Sequence, residues 1–240
     1  MTAGIAAASL SGGASLNAAG NVSLNWLGSN AGEIVSMFVH HIVLSGIPTL
    51  AGLIIALPIG AFANRYRWAY TPTITIAGLF YTLPSLAVFV LLPLVLGTKI
   101  LDPLNVIIAL IIYTLALLVR VVADGLASVP EETVQAAEAM GYRSVRRFLT
   151  VDLPIAAPVI LAGLRVASVA NVSILSVAAL LGIPQLGQLF TEGFQLDFYA
   201  PIIAGIVLTV FLAFVFDGII VVAERLMTPW KRARTEEVTA

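Results

Sequence analysis

Long apolar runs separated by short clusters of charge set the pattern of this chain. Positions 34–64, 68–98, 103–119 and 166–191 contain no Asp, Glu, Lys or Arg, and a last run, 198–216, resumes as 218–223 after Asp217. A bilayer core about 30 Å thick is crossed by about 20 helical residues rising 1.5 Å each. The runs therefore predict five spanning helices, roughly 41–63, 71–96, 104–124, 155–181 and 199–224. The expected fold class is all-α, a polytopic membrane helical bundle. A short interfacial helix over 33–41 is expected ahead of the first span. His40 and His41 are adjacent, so on a helix they point about 100° apart and do not chelate one metal together. The expectation is an interfacial location for both and no metal site.

Charge placement orients the bundle, because cytoplasmic loops collect Lys and Arg. Arg65 and Arg67 follow the first span, Arg143, Arg146 and Arg147 the third, and Arg225, Lys231, Arg232 and Arg234 the fifth; only Lys99 lies clearly on the other side. The N-terminus is thus expected outside and the C-terminus in the cytoplasm. Residues 1–33 read as a flexible extracytoplasmic segment, 34–228 as the transmembrane domain and 229–240 as a cytoplasmic tail. Composition narrows the function classes. With 60% hydrophobic and 10% charged residues, the chain has too little polar surface for a water-soluble domain and too much apolar surface for disorder. A net charge of −1 offers no basic footprint for nucleic acid. There is no cysteine, hence no disulfide framework and no thiolate metal site.

Several features inside the runs bear on packing and transport. Pro48, Pro58, Pro84, Pro93, Pro158 and Pro201 fall in apolar helices, where neighbouring helices or a water-lined cavity must satisfy the freed carbonyls. Gly46, Gly52, Gly60, Gly78 and Gly163 permit close helix approach. Arg120 and Asp124, four apart, are placed to pair on one helix face. Arg165 and Asp217 lie in the inner halves of spans 4 and 5 and are candidates for an inter-helix ion pair.

The longest connection joins spans 3 and 4, about 128–153, and it is the most polar part of the chain. Most connections are a handful of residues, and longer ones tend to carry function. Pro130 suits a first helical position, Glu131 and Glu132 suit the positive end of the helix dipole, and Gly141 supplies a left-handed stop. Ser144 is expected to cap a second short helix over 145–150, and Leu153-Pro154 to stop it. The result is a helix, a glycine turn and a second helix along the cytoplasmic face. One reading is a docking knob for another protein; the other is a solvated hairpin whose arginines meet lipid headgroups.

Within this hairpin, Gln135-Ala136-Ala137, three residues, Gly141, nine residues, then Val151-Asp152-Leu153-Pro154 resembles the EAA loop signature of ABC-importer permeases. In the family pattern a Glu stands where this chain has Gln135 and an Ile where it has Val151. Tyr81-Thr82-Leu83-Pro84-Ser85-Leu86-Ala87, Pro158-Val159-Ile160-Leu161-Ala162-Gly163-Leu164-Arg165, Asn171, Ala178-Ala179-Leu180-Leu181-Gly182 and Leu186-Gly187 resemble the osmoprotectant branch, which carries glycine betaine, carnitine, choline or proline. The resemblance covers about 40–230, and Ile183-Pro184-Gln185 replaces a glycine-rich stretch.

The resemblance implies a permease that does not hydrolyse ATP, working with two ATP-binding cassette subunits, a second permease subunit (homologous or identical), an extracytoplasmic solute-binding protein and the lipid bilayer of a bacterial plasma membrane. ATP and Mg would sit on the partner ATPase, with no cofactor on this chain, and the sequence contains no G-x-x-x-x-G-K-[ST] phosphate loop. Glu132, Gln135, Ala136, Ala137, Met140, Gly141, Leu153 and Pro154 would form the ATPase-coupling loop, with Ala136, Ala137 and Gly141 making the closest contact. Candidates for the translocation path are Tyr81, Pro84, Ser85, Asn171 and Ser173, with Phe80, Phe89 and Tyr113 as further aromatic faces for a quaternary ammonium. The alternative reading is a secondary carrier or channel working without an ATPase. A membrane hydrolase is a third class, poorly served by two histidines away from any serine elbow.

Overall fold

The computed structural model describes residues 25–229; the expectations for the start of the N-terminal segment and for the C-terminal tail lie outside these residues. The described chain is all-α. Its elements are α1 (Ala31–Arg65), α2 (Arg67–Thr82), α3 (Ser85–Leu96), α4 (Pro103–Ala127), α5 (Glu131–Ala139), α6 (Ser144–Arg147), a π-helical turn (Phe148–Asp152), α7 (Leu153–Val177), a 3-10 turn (Ala178–Leu181), α8 (Gln188–Gln195) and α9 (Tyr199–Met227).

Four helices, those holding α1, α4, α7 and α9, are each long and apolar enough to cross a membrane. The fifth span, expected as one helix over 71–96, is instead two. Helices α2 and α3 meet at a 104° bend and satisfy the same length and hydropathy requirement only as a pair. The cause is local. Leu83 and Pro84 both take extended backbone (ψ 135° and 128°), because a residue before proline is driven out of the α region. Proline alone does not decide the outcome, since Pro48, Pro58, Pro72, Pro93 and Pro158 all sit inside continuous helices. At the break the Tyr113 hydroxyl of α4 donates to the Leu83 carbonyl at 2.7 Å. That bond satisfies a backbone group the helix no longer uses, which lipid could not.

Helix α1 has 35 residues, about 52 Å at 1.5 Å per residue. It absorbs the separate interfacial helix expected over 33–41. Within it His41 is fully buried against neighbouring elements, while His40 faces outward and bonds the Ser36 carbonyl.

Helix α4 is the centre of the bundle and packs against α1, α2, α3 and α7. One core cluster joins Ala56 of α1, Leu118 and Val122 of α4 and Ile160 and Leu164 of α7. A second joins Leu44, Phe89, Leu110 and Leu175. Two glycines eight residues apart set the α1–α4 approach. A Cβ on Gly52 would lie 2.3 Å from Thr114 Cγ2, and one on Gly60 2.6 Å from Val122. Gly163 is similarly pressed on Val121, whereas Gly78 has open space beside it and takes no part in close packing. Helix α9 lies at the periphery, with Ile203, Val207, Phe211, Phe214 and Val222 exposed.

Candidate coupling loop and membrane break

The connection 128–153 folds as a tight hairpin of two short helices. Pro130 sits one position earlier than expected, at the N-cap of α5, with its carbonyl accepting from Thr133 N at 3.0 Å. Glu131 and Glu132 occupy the first turn, where the helix dipole favours anions. The helix ends in a Schellman motif. Tyr142 N donates to Ala137 O at 3.2 Å, Gly141 N to Glu138 O at 2.9 Å, and Gly141 has φ +80°. No heavy atom lies within 4 Å of a Cβ built on Gly141. The glycine is therefore required by backbone conformation and not by crowding within this chain.

The second arm departs from the expected form. Arg143, not Ser144, is the N-cap of α6, and no side chain caps it. Nor does Leu153-Pro154 stop the helix. The backbone runs on through the π turn into α7, with Leu153 N bonded to Phe148 O, five residues back, and Leu153 itself helical (φ −66°, ψ −45°). A wider turn absorbs the geometry that a proline would otherwise break. The second arm and span α7 are thus one stiff element of 38 residues up to Leu181.

Arg147 ties the hairpin together. It pairs with Glu138 on α5 and, at 3.2 Å, with Asp152 at the base of α7. Both Arg147 and Asp152 are largely buried, at 16% and 14% side-chain exposure, so removing the arginine leaves a carboxylate short of partners at a cost of about 1–3 kcal/mol. Arg147→Ala is expected to loosen the hairpin and raise the rate of tryptic cleavage at Arg143 and Arg146 several-fold, without loss of membrane insertion. An unchanged cleavage rate would show that the arginine does not order the loop. Behind the hairpin a cleft of about 620 Å³ opens between the ends of α1 and α4 and the loop, lined by Asn64, Arg65, Tyr66, Ser144, Val145 and Arg147 among others.

Met140, Val145 and Leu149 of the hairpin are exposed at 70%, 73% and 56%, Val145 on the cleft and Leu149 on a separate apolar groove with Leu53, Leu57 and Met227. Glu132, Gln135 and Ala136 are also exposed, and Gln135 Nε2 donates to Glu131 at 3.4 Å. Ala137 is buried and faces the protein interior. Leu153 and Pro154 are half-buried where the hairpin joins α7.

The other candidate residues separate into two places. Tyr81, Pro84 and Ser85 lie at the α2–α3 break, Tyr81 half exposed beside an equally exposed Phe80. Phe89 is fully buried in the core, and Tyr113 is spent on the break. Asn171 is buried where three helices cross. Its Nδ2 donates to Thr49 Oγ1 of α1 and Thr114 Oγ1 of α4, each at 2.8 Å. Those hydroxyls in turn donate to Ser45 O and Leu110 O. Ser173 is exposed on α7, away from that network. Arg165 and Asp217 form a bidentate pair between α7 and α9 at 2.6 and 2.9 Å. Arg120 and Asp124 lie 3.5 Å apart, and Tyr70 of α2 donates to Asp124. Helix α8 and the tether of its loop to α1 were missed in the sequence; the local signal was Leu189-Phe190 and Gly193-Phe194 at helical spacing between Gln188, Thr191, Glu192 and Gln195.

A bundle of apolar spans, one broken in its middle, with an ordered hairpin rigidly joined to one span, defines a membrane transport component. The chain belongs to the family of binding-protein-dependent transport system inner membrane components, which it matches over residues 48–229. It is 30% identical over 210 residues to the osmoprotectant import permease protein OsmW of Salmonella typhimurium, covering 86% of this chain and 97% of that protein. It is also 30% identical over 218 residues to the choline transport system permease protein OpuBB of Bacillus subtilis, covering 90% and 98%. The fold is that of a chain of the MetNI methionine ABC transporter in an inward-facing conformation (TM-score 0.72, 19% identity, 85% of this chain and 98% of that one). A chain of an amino acid ABC transporter superposes with a TM-score of 0.68 at 16% identity.

Proposed function

We propose that this chain is the permease subunit of an ATP-driven importer for small compatible solutes of the quaternary ammonium type. It would receive solute from an extracytoplasmic binding protein and pass it inward by alternating access. It works with a second permease subunit, homologous or identical, and with ATP-binding cassette subunits that hold the ATP and Mg; it has no nucleic acid partner. Residues 1–33 lie outside the cell and 229–240 inside.

The observation that carries this reading is the hairpin. It leaves Gln135, Ala136 and Met140 exposed ahead of the Gly141 turn and is continuous with α7. A force on the loop therefore moves a whole span as a rigid body, the kind of element alternating access requires. The substrate class is supported by the two relatives whose names specify osmoprotectants and choline. The exposed aromatic pair Phe80 and Tyr81 beside the break suits a quaternary ammonium. Family membership favours this over a gradient-driven carrier. The test is co-purification in mild detergent followed by mass spectrometry of bound subunits. An ATPase and a second permease are expected; a stable lone chain that still transports would contradict the proposal.

A further inference from the structure

His41 is fully buried, and its ring is held on both nitrogens. Nε2 lies 3.1 Å from the Val172 carbonyl of α7, and Nδ1 lies 3.0 Å from Gln185 Oε1 in the segment leading to α8. The proton count decides what these contacts are. A carbonyl only accepts, so Nε2 must carry a hydrogen to bond Val172. The Gln185 amide is fixed in orientation by a second partner, because its Oε1 accepts from Gly187 N at 2.6 Å while its Nε2 reaches Ser176 O at 3.4 Å. Flipping the amide would set two donors against each other at Gly187. Oε1 therefore faces Nδ1 as an acceptor, and that nitrogen too must carry a hydrogen. A neutral imidazole has one N–H; only the imidazolium has two. Gly187 leaves no room for rearrangement, since a Cβ there would lie 2.3 Å from Ser176 O.

We infer that His41 is a proton-operated latch: its imidazolium ties α1 to both α7 and the 183–195 segment, and loss of one proton releases the Gln185 end.

Burial without a counter-charge opposes the imidazolium, so its two acceptors are all that hold the second proton. Among the described residues no charged side chain bonds to the ring. On α1 the titratable neighbours are His40, turned to Ser36, and Glu33 in the first turn. On α8 there is Glu192, which accepts from Gln188 at 3.2 Å. Burial holds its carboxyl above the ordinary range, and Glu33 nearby pushes the same way. Arg165 lies midway along α7 and is bonded to Asp217 of α9; Arg120, Asp124, Glu224 and Arg225 lie toward the far ends of α4 and α9, while Lys99, Asp102 and Asp197 flank the near ends of those helices. Acidification thus protonates His41 and relieves the Glu33–Glu192 repulsion together. Both changes seat α8 on α1, where Met37, Leu186 and Leu189 already pack. Raising the pH reverses both. That the latch faces the cell exterior rests on the proposed orientation; its protonation does not.

The chain has two histidines, and His40 is exposed, so His40→Gln leaves His41 as the single imidazole. Ring-nitrogen NMR of this variant in nanodiscs reads the protonation state directly. Amide exchange of 183–195, corrected for intrinsic rates, reads the latch. The expected result is an imidazolium signature at the acid end of a pH titration that converts to one neutral tautomer as the pH rises. Exchange across 183–195 should rise about ten-fold over the same range, a difference of about 1.4 kcal/mol. His41→Gln should show faster exchange whose remaining pH dependence is only that of the Glu33–Glu192 pair, and His41→Gln with Glu192→Gln should remove it. A ring that is neutral throughout, or charged throughout, would overturn the inference, as would exchange that ignores the transition. None of these readouts requires transport, so failure here is separable from failure of the importer reading.

Discussion

Gly141→Val is expected to cut solute uptake by at least about ten-fold while leaving the permease inserted and the partner ATPase able to hydrolyse ATP. A non-glycine residue in the left-handed region costs roughly 1–2 kcal/mol, more for a β-branched one. Gly141 sits there at φ +80° with nothing near its Cβ position. The penalty therefore falls on the turn, and the Schellman bonds of Tyr142 and Gly141 back to α5 open. With the turn lost, α5 no longer holds a fixed angle to α6, and a push on one arm is not passed to α7. Gly141→Asn separates this cause from simple bulk at a docking surface, because Asn tolerates the left-handed region. Asn at this position is expected to retain most of the uptake. If valine leaves uptake unchanged, or if asparagine is as damaging as valine, the turn is not what couples the loop to its partner.

The second large effect belongs to the Arg165–Asp217 pair. Its two bonds, 2.6 and 2.9 Å, join α7 to α9, a helix whose apolar face is otherwise mostly turned outward. A lone ionised side chain within a bilayer costs about 2.5–3.5 kcal/mol. Arg165→Gln and Asp217→Asn are each expected to reduce the yield of folded, inserted permease severely. The double variant, which leaves no charge behind, is expected to recover most of it. The pair would then show a coupling of about 2 kcal/mol in a double-mutant cycle. Additive losses in the double variant would mean that each residue acts alone, for instance on solute, and not as an inter-helix clasp.

What could be read from the sequence follows from how local each determinant is. The apolar runs that make α1, α4, α7 and α9 are contiguous, and the helix–Gly141–helix hairpin is set by residues within a few turns of one another. The bend at Leu83-Pro84 is different. Pro58 and Pro158 look the same in sequence, yet they stay inside continuous helices. What distinguishes Pro84 is Tyr113, thirty residues away, ready to take the freed carbonyl. The burial of His41 was not legible, because its partners, Val172 and Gln185, are 131 and 144 residues distant. Asn171 shows the same limit. Its place among small polar residues was legible, whereas its spending of both amide hydrogens on Thr49 and Thr114 depends on a three-helix crossing. At Pro154 the local rule itself was overridden, because a π turn accommodates the ring without ending the helix.

The central claim is that an ATPase, gripping the hairpin 128–153, drives this bundle. The most direct measurement is uptake of a labelled betaine into proteoliposomes holding this chain with its co-purified partners and the binding protein. Uptake is expected to require ATP on the cytoplasmic face and to be lost on removing the ATPase subunits. Uptake by this chain alone, driven by an ion gradient and indifferent to ATP, would contradict the account.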